Sequence, residues 1–147
     1  MPNQTRVAAS PRRIRWSIIL IAAIFVVSGV LHFLIPLPYE RIVPPWLPNA
    51  ALLVQLSGLA ELIGALGLLW PPTRRAAGWG LILLLIAVFP ANVEMLRQAR
   101  ASGASLAWQG TLWLRLPLQV VMIWWIWRSA ARRSFTTPTH GTVAPAA

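Results

Sequence analysis

Four long apolar segments constrain this chain more than any other feature of its sequence. They cover about residues 16–35, 50–70, 76–95 and 110–127. A helix of about 20 apolar residues crosses a membrane hydrocarbon core about 30 Å thick, and backbone groups in lipid must hydrogen-bond within the spanning structure. The sequence therefore predicts an all-α integral membrane protein, a four-helix bundle with short connections.

The composition agrees with a membrane environment. Hydrophobic residues make up 57% of the chain and charged residues only 11%, whereas soluble domains carry about 25% charged residues. The net charge of +10 comes from arginines that flank the apolar segments, and this placement favours a lipid bilayer over nucleic acid as the partner. The absence of cysteine excludes disulfides, thiolate metal sites and iron–sulfur clusters. Two histidines leave little room for any other metal site.

The arginines beside the predicted spans set the expected orientation, because short cytoplasmic loops are enriched in positive charge. Three arginines lie on one side, at positions 41, 97 and 100, and nine lie on the other: Arg6, Arg12, Arg13, Arg15, Arg74, Arg75, Arg128, Arg132 and Arg133. We therefore expect both termini in the cytoplasm.

We also expect a disordered basic tail at residues 1–15, a membrane domain at 16–127, and a tail at 128–147 that is first basic and then disordered. The first span exceeds the about 7–15 apolar residues of a cleavable signal, so we expect it to remain uncleaved.

The connection after the first span is rich in proline. Five prolines lie between Pro36 and Pro48, with Trp46 near the end of the segment. Proline at this density predicts a stiff chain without a regular helix. We expect residues 36–48, called the cap segment below, to cover the outer mouth of the bundle. A plain connector with an interfacial tryptophan is the alternative.

Polar residues at membrane depth predict a pocket in the outer half of the bundle. Three pairs with i, i+4 spacing (Ser28 and His32, Ser57 and Glu61, Arg115 and Gln119) each share one helix face. Since unpaired ionisable groups are costly in lipid, these faces are expected to meet. The predicted pocket residues are His32, Ser57, Glu61, Asn92, Arg115 and Gln119.

An ion pair between Glu61 and Arg115 is the simplest way to satisfy both charges. Pro90 and Pro117 are expected to kink their helices and free carbonyl groups beside the pair. Glu94 is interpreted as a solvated residue at a helix end. The alternative is that the Glu61–Arg115 pair only fixes helix register and binds nothing.

Several short motifs resemble the DoxX-like family of small four-span bacterial membrane proteins. They are H-F-x-x-P at the end of the first span, P-P-W-L-P in the cap segment, S-G-x-x-E, F-P-A-N and R-L-P-L-Q, and the similarity covers roughly residues 16–127. The resemblance implies a four-helix bundle in the bacterial cytoplasmic membrane. It marks as motif positions His32, Pro36, Pro45, Trp46, Pro48, Ser57, Glu61, Pro90, Asn92, Arg115, Pro117 and Gln119.

The resemblance favours a membrane subunit or accessory of a quinone-linked redox system, with quinone as the candidate cofactor and a redox enzyme as the partner. No catalytic residue can be assigned, so we expect a subunit rather than an enzyme by itself, with homo-oligomer formation left open. An assembly or structural protein is the first alternative. A small-solute transporter is the second, although the apolar inner half offers no polar path and no internal repeat is evident.

Overall fold

The computed structural model describes residues 16–132, and every regular element in that range is helical. The helices are α1 (Trp16–Leu34), α2 (Pro36–Glu40), α3 (Ala50–Leu69), α4 (Arg74–Ala101) and α5 (Leu106–Ile126), and a π-helix (Trp127–Ala131) follows α5 directly. The all-α prediction is therefore confirmed for this part of the chain. The predicted disordered tails, apart from residues 128–132, lie outside the described residues.

Three of these helices, α1, α3 and α4, are long and apolar enough to cross a membrane. Their outward faces carry large apolar side chains such as Val27, Leu66 and Leu83, each more than half exposed. An apolar exterior of this extent is typical of a surface that contacts lipid. The fourth long helix, α5, carries Arg115 and Gln119 in its middle and is not among the three.

The last two long helices differ from their predicted bounds. Helix α4 continues through Pro90 and reaches Ala101, about six residues past the predicted end. The predicted end marks where the apolar run stops, and the residues that follow, such as Arg97, Gln98 and Ala99, are good helix formers that continue the helix. Helical structure after α5 extends through the π-helix to Ala131, whereas the fourth span was predicted to end at residue 127.

The prediction that the cap segment contains no regular helix is wrong for its first five residues. Helix α2 begins with Pro36 in its first turn. Proline is tolerated there because the first N–H groups of a helix have no acceptor within it, and the fixed φ of proline suits the helix. The density of prolines therefore limits the length of this helix but does not prevent it.

Side-chain caps define where α3 and α5 begin. Asn49 adopts a left-handed conformation (φ 51°) and its Oδ1 accepts a hydrogen bond from the Leu52 N–H. Ser105 Oγ accepts from the Trp108 N–H in the same way. Each cap satisfies one of the N–H groups that a helix start leaves unpaired.

The long helices pack in chain order, α1 on α3, α3 on α4 and α4 on α5. At the end that contains the α3–α4 connection, they enclose a dry core whose central side chains are Ile18, Ile21, Phe25, Leu68, Leu81 and Ile126. The π-helix packs on α4 at this end, where a Cβ added to Gly78 would lie 3.1 Å from the Ala130 Cβ. The opposite end, which contains the cap segment, is packed less densely and holds a cavity.

Candidate functional site

A cavity of about 670 Å³ lies between the four long helices and the cap segment. This volume is within the range of about 300–1,000 Å³ that is typical of small-molecule sites. All six predicted pocket residues line it: His32 from α1, Ser57 and Glu61 from α3, Asn92 from α4, and Arg115 and Gln119 from α5. The remaining wall is mostly aliphatic, so a few polar groups converge in an apolar space.

Glu61 and His32 form the polar centre of the cavity wall. Each is less than one-tenth exposed, and Glu61 Oε2 lies 3.7 Å from His32 Nδ1. His32 Nδ1 donates a hydrogen bond of 2.8 Å to the Ser28 carbonyl oxygen one turn earlier. Because a carbonyl oxygen can only accept a hydrogen bond, Nδ1 must carry a proton. A protonated Nδ1 is also favourable beside the Glu61 carboxylate.

The Glu61 carboxylate is incompletely satisfied. Its Oε2 atom is fully buried and makes no hydrogen bond of normal geometry within residues 16–132. The 3.7 Å contact with His32 is too long, and the Ser28 hydroxyl, although close enough to act on the carboxylate, does not complete one. An unpaired buried oxygen is costly and calls for a specific explanation. A ligand group in the cavity that hydrogen-bonds to Oε2 would provide one.

The predicted ion pair between Glu61 and Arg115 does not form. In the described part of the chain, the ion-pair contact of Glu61 is with His32, and Arg115 makes neither an ion pair nor a hydrogen bond. Arg115 lines the cavity but is exposed. The sequence pattern placed both charges in the outer half of the bundle, but position along a helix does not fix how that helix is rotated about its axis.

Close contact between α1 and α3 explains why Glu61 meets His32. A Cβ added to Gly58 would lie 2.7 Å from the His32 Cβ, and one added to Gly29 would lie 2.8 Å from the Gly58 carbonyl oxygen. Any larger residue at either position would push the helices apart. The two glycines therefore bring the His32 turn of α1 against the turn of α3 that precedes Glu61.

Tyr39 of α2 is a site residue that the sequence analysis missed. Its ring stacks on the His32 ring, with centroids 4.1 Å apart and planes inclined by 25°. Burial raises the pKa of the Tyr39 phenol, and the negative charge of Glu61 raises it further while Arg115 opposes this. The hydroxyl therefore remains a donor at neutral pH. A usable signal was present, because Tyr39 is the single tyrosine of the chain and lies in the cap segment.

Gln119 connects α5 to α4 beside the cavity. Its Oε1 accepts a 2.6 Å hydrogen bond from Asn92 Nδ2, and its Nε2 donates to the Leu85 carbonyl oxygen. Both contacts lie within about one turn of Pro90, which disrupts regular bonding in α4. Asn92 and Gln119 therefore form an inter-helix clamp beside Pro90, and the carbonyl that Gln119 reaches is that of Leu85.

Ser57 has a local role in addition to its place in the wall. Its Oγ donates a 2.9 Å hydrogen bond to the Val54 carbonyl oxygen in the same helix. Back-bonding of this kind satisfies the hydroxyl donor and leaves its lone pairs available as acceptors. Ser57 can therefore accept a hydrogen bond from a group in the cavity.

Two residues of the P-P-W-L-P motif in the cap segment face the cavity. Pro44 and Leu47 line the cavity, whereas Pro45, Trp46 and Pro48 are exposed on the outer surface. Pro36 opens α2, and Pro117 is an exposed residue inside α5.

A polar cluster on α4 is hydrogen-bonded to the cap segment through Gln98. Glu94 is 7% exposed, so its interpretation as a solvated residue is wrong. Its two oxygens accept hydrogen bonds of 2.6 and 2.7 Å from Arg97, and Gln98 Nε2 donates to Glu94 and to the Arg41 carbonyl oxygen at 2.9 and 2.8 Å. The i, i+3 spacing of Glu94 and Arg97 was a signal for this pair.

Comparison with known proteins gives a family and no function. No curated protein and no solved structure matches the chain. Residues 21–130 match a family described as Domain of unknown function (DUF8561). The match extends from the second turn of α1 into the π-helix, so it includes every helix around the cavity. The chain therefore belongs to the DUF8561 family.

Proposed function

We propose that this protein binds a polar-headed, membrane-soluble ligand in the cavity beneath the cap segment. The observation that carries the proposal is the buried, unpartnered Glu61 Oε2 in the wall of a cavity of about 670 Å³. The neighbouring His32 and the unpaired guanidinium of Arg115 support it, because both can bond to oxygen atoms of a ligand.

A quinone is our first choice of ligand. Its ring suits the apolar wall formed by residues such as Pro44, Leu47 and Leu118. Its carbonyl oxygens can accept from Arg115, and a quinol hydroxyl can donate to Glu61. On this proposal the protein is a membrane subunit or accessory of a quinone-linked redox system, consistent with its resemblance to DoxX-like proteins.

The same proposal includes the membrane topology. We propose four spans, with α5 as the fourth, and both termini on the cytoplasmic side of the bacterial cytoplasmic membrane. The bias of nine arginines against three supports this orientation.

The native chain has no cysteine, so single cysteines at Ser102 and Pro72 can be tested with an impermeant thiol reagent on intact cells. Ser102→Cys should label and Pro72→Cys should not, and the reverse pattern would overturn the orientation.

The ligand proposal is tested on protein purified from native membranes in mild detergent. Organic extraction and mass spectrometry should find quinone bound to the wild type. Glu61→Gln and His32→Leu should lower its occupancy while the thermal transition remains cooperative. Glu94→Gln is the matched control, because it makes the same chemical change at a buried carboxylate that does not line the cavity. The amide oxygen of the new glutamine can still accept from Gln98, so the bond from Gln98 to the cap segment is kept.

Two results would end the proposal. The first is a well-folded wild type that contains no quinone and shows no thermal shift with added quinone analogues. The second is an equal loss of quinone in Glu61→Gln and Glu94→Gln, since this would place the effect in general stability rather than in the cavity.

An assembly or structural protein is the second candidate. Gln119 accepts a hydrogen bond from Asn92 and donates one to the Leu85 carbonyl oxygen, so its amide is satisfied within the chain and needs no ligand. This function predicts a partner protein that is co-purified in mild detergent and retained by Glu61→Gln. The transporter alternative has less support, because the dry core at the opposite end offers no polar path.

A further inference from the structure

A second, smaller cavity of about 410 Å³ opens on the outward side of α1. Ala23, Val27 and Leu31 of α1 form its apolar side. Val27 is 60% exposed, so the cavity is a shallow groove on the surface that would face lipid. We call it the α1 groove.

The α1 groove adjoins the main cavity. Ile24, Ser28 and Tyr39 line both spaces. Tyr39 also stacks on His32, and His32 contacts Glu61. The Tyr39 ring therefore lies at the boundary between the Glu61 side of the main cavity and the groove on the outward face of α1.

We propose that the α1 groove holds the apolar tail of the ligand whose polar head lies at Glu61. The ligand is thus a single-chain amphiphile that reaches the cavity from the bilayer, between α1 and α2, and not from water. This inference rests on the proposed function, because the head site supplies the reason for a chain to lie in this groove rather than elsewhere on the helix.

Two observations support a tail rather than an unrelated lipid. The Glu61 side chain is about nine-tenths buried and its Oε2 lacks a partner, so the head site has an unmet hydrogen bond. The groove is wholly aliphatic apart from Ser28 and Tyr39, two of the three residues that it shares with the main cavity. Lipid tails are as apolar as the groove, so an untethered chain would gain little by entering it. The groove therefore selects a chain only when that chain is tethered to a head at Glu61.

The test compares two probes that share one head. Dimethoxy-methyl-benzoquinone has no tail, and its decyl derivative has one. Binding of each is measured by competition against the co-purified ligand in detergent, for the wild type, Val27→Trp and Val30→Trp. Val30 is the matched control, because it is another exposed valine of α1 and lines neither cavity.

We expect Val27→Trp to weaken binding of the decyl probe about tenfold, which corresponds to about 1.4 kcal/mol. The same variant should leave the tailless probe unchanged, and Val30→Trp should affect neither probe. Equal binding of the decyl probe by both tryptophan variants would overturn the tail subsite. If the tail subsite is overturned but the tailless probe still binds in a Glu61-dependent manner, the proposed function survives. If neither probe binds the wild type, both proposals fail.

A second measurement needs no substitution and so is independent of how well Val27→Trp folds. A decyl probe with a photoreactive group at the end of its tail is cross-linked to the wild type, and the modified residues are mapped by mass spectrometry. Cross-links should fall on Ala23, Val27 or Leu31. Cross-links that fall only on other faces or other helices would refute the groove.

Discussion

Replacing Gly58 with alanine tests the contact that places His32 beside Glu61. The added Cβ would lie 2.7 Å from the His32 Cβ and 3.1 Å from the Gly29 carbonyl oxygen. Since carbon atoms pack best at about 3.5–4.0 Å, α1 and α3 must separate by about 0.8 Å or more at this point. Backbone atoms and a Cβ cannot rotate away as the end of a long side chain could. Overpacking of this kind costs about 1–3 kcal/mol.

Gly80→Ala provides the matched control. A Cβ at Gly80 has no neighbour within 4 Å, so this variant changes helix propensity alone, by about 1 kcal/mol in favour of alanine. The difference between the two variants therefore isolates the helix contact. At about 4 °C per kcal/mol for a chain of this size, Gly58→Ala should melt about 4–12 °C below Gly80→Ala.

The assay is thermal unfolding in detergent, followed by the fluorescence of the nine tryptophans. Gly58→Ala should also lose bound ligand at temperatures where it is still folded, because the separation widens the gap between His32 and Glu61 beyond its present 3.7 Å. Equal melting temperatures for Gly58→Ala and Gly80→Ala would refute the close contact. Equal ligand occupancy would refute the claim that this contact positions the site.

Two further predictions concern polar contacts in the wall of the cavity. Thermal shifts in a double-mutant cycle of His32→Leu and Glu61→Gln should be non-additive, whereas Glu61→Gln and Arg115→Leu should be nearly additive; the opposite result would restore the Glu61–Arg115 pair. Gln119→Leu should destabilise the protein by about 1–2 kcal/mol, the size found for inter-helix hydrogen bonds in membranes. Gln109→Leu, which removes only a bond to the nearby Ala104 carbonyl, should cost less in the same unfolding assay, and equal losses would show that the clamp on α4 contributes nothing.

The sequence was sufficient to predict the helices and six of the residues that line the cavity. Apolar runs of about 20 residues leave little choice of secondary structure. The i, i+4 pairs fix which side chains share a face, and position along a helix gives depth. His32, Ser57 and Glu61 could be assigned to one cavity because the depth of a residue, and the face on which it lies, follow from its position along its own helix.

The pairing inside the cavity was beyond those rules. Which face of one helix meets which face of another depends on contacts between helices, here those of Gly29 and Gly58. The predicted Glu61–Arg115 pair followed from charge alone, whereas the close approach at these two glycines brings Glu61 to His32. The place of Tyr39 was missed for a related reason, since it depends on how a short proline-rich segment folds back over α1.

The packing of the helices in chain order also bears on how the protein is made. Each long helix can associate with the one synthesised just before it, so most contacts are local and form early. Contacts that bring the end of the helical region back to α1 come from the π-helix at Trp127–Ala131. The wall that carries Arg115 and Gln119 is thus delivered late in synthesis, and a nascent chain without it would leave the cavity open on that side. On the proposed function, the ligand can be enclosed only after α5 has joined the other helices, so the packing of the last long helix, rather than the insertion of α1, is the step that completes the site.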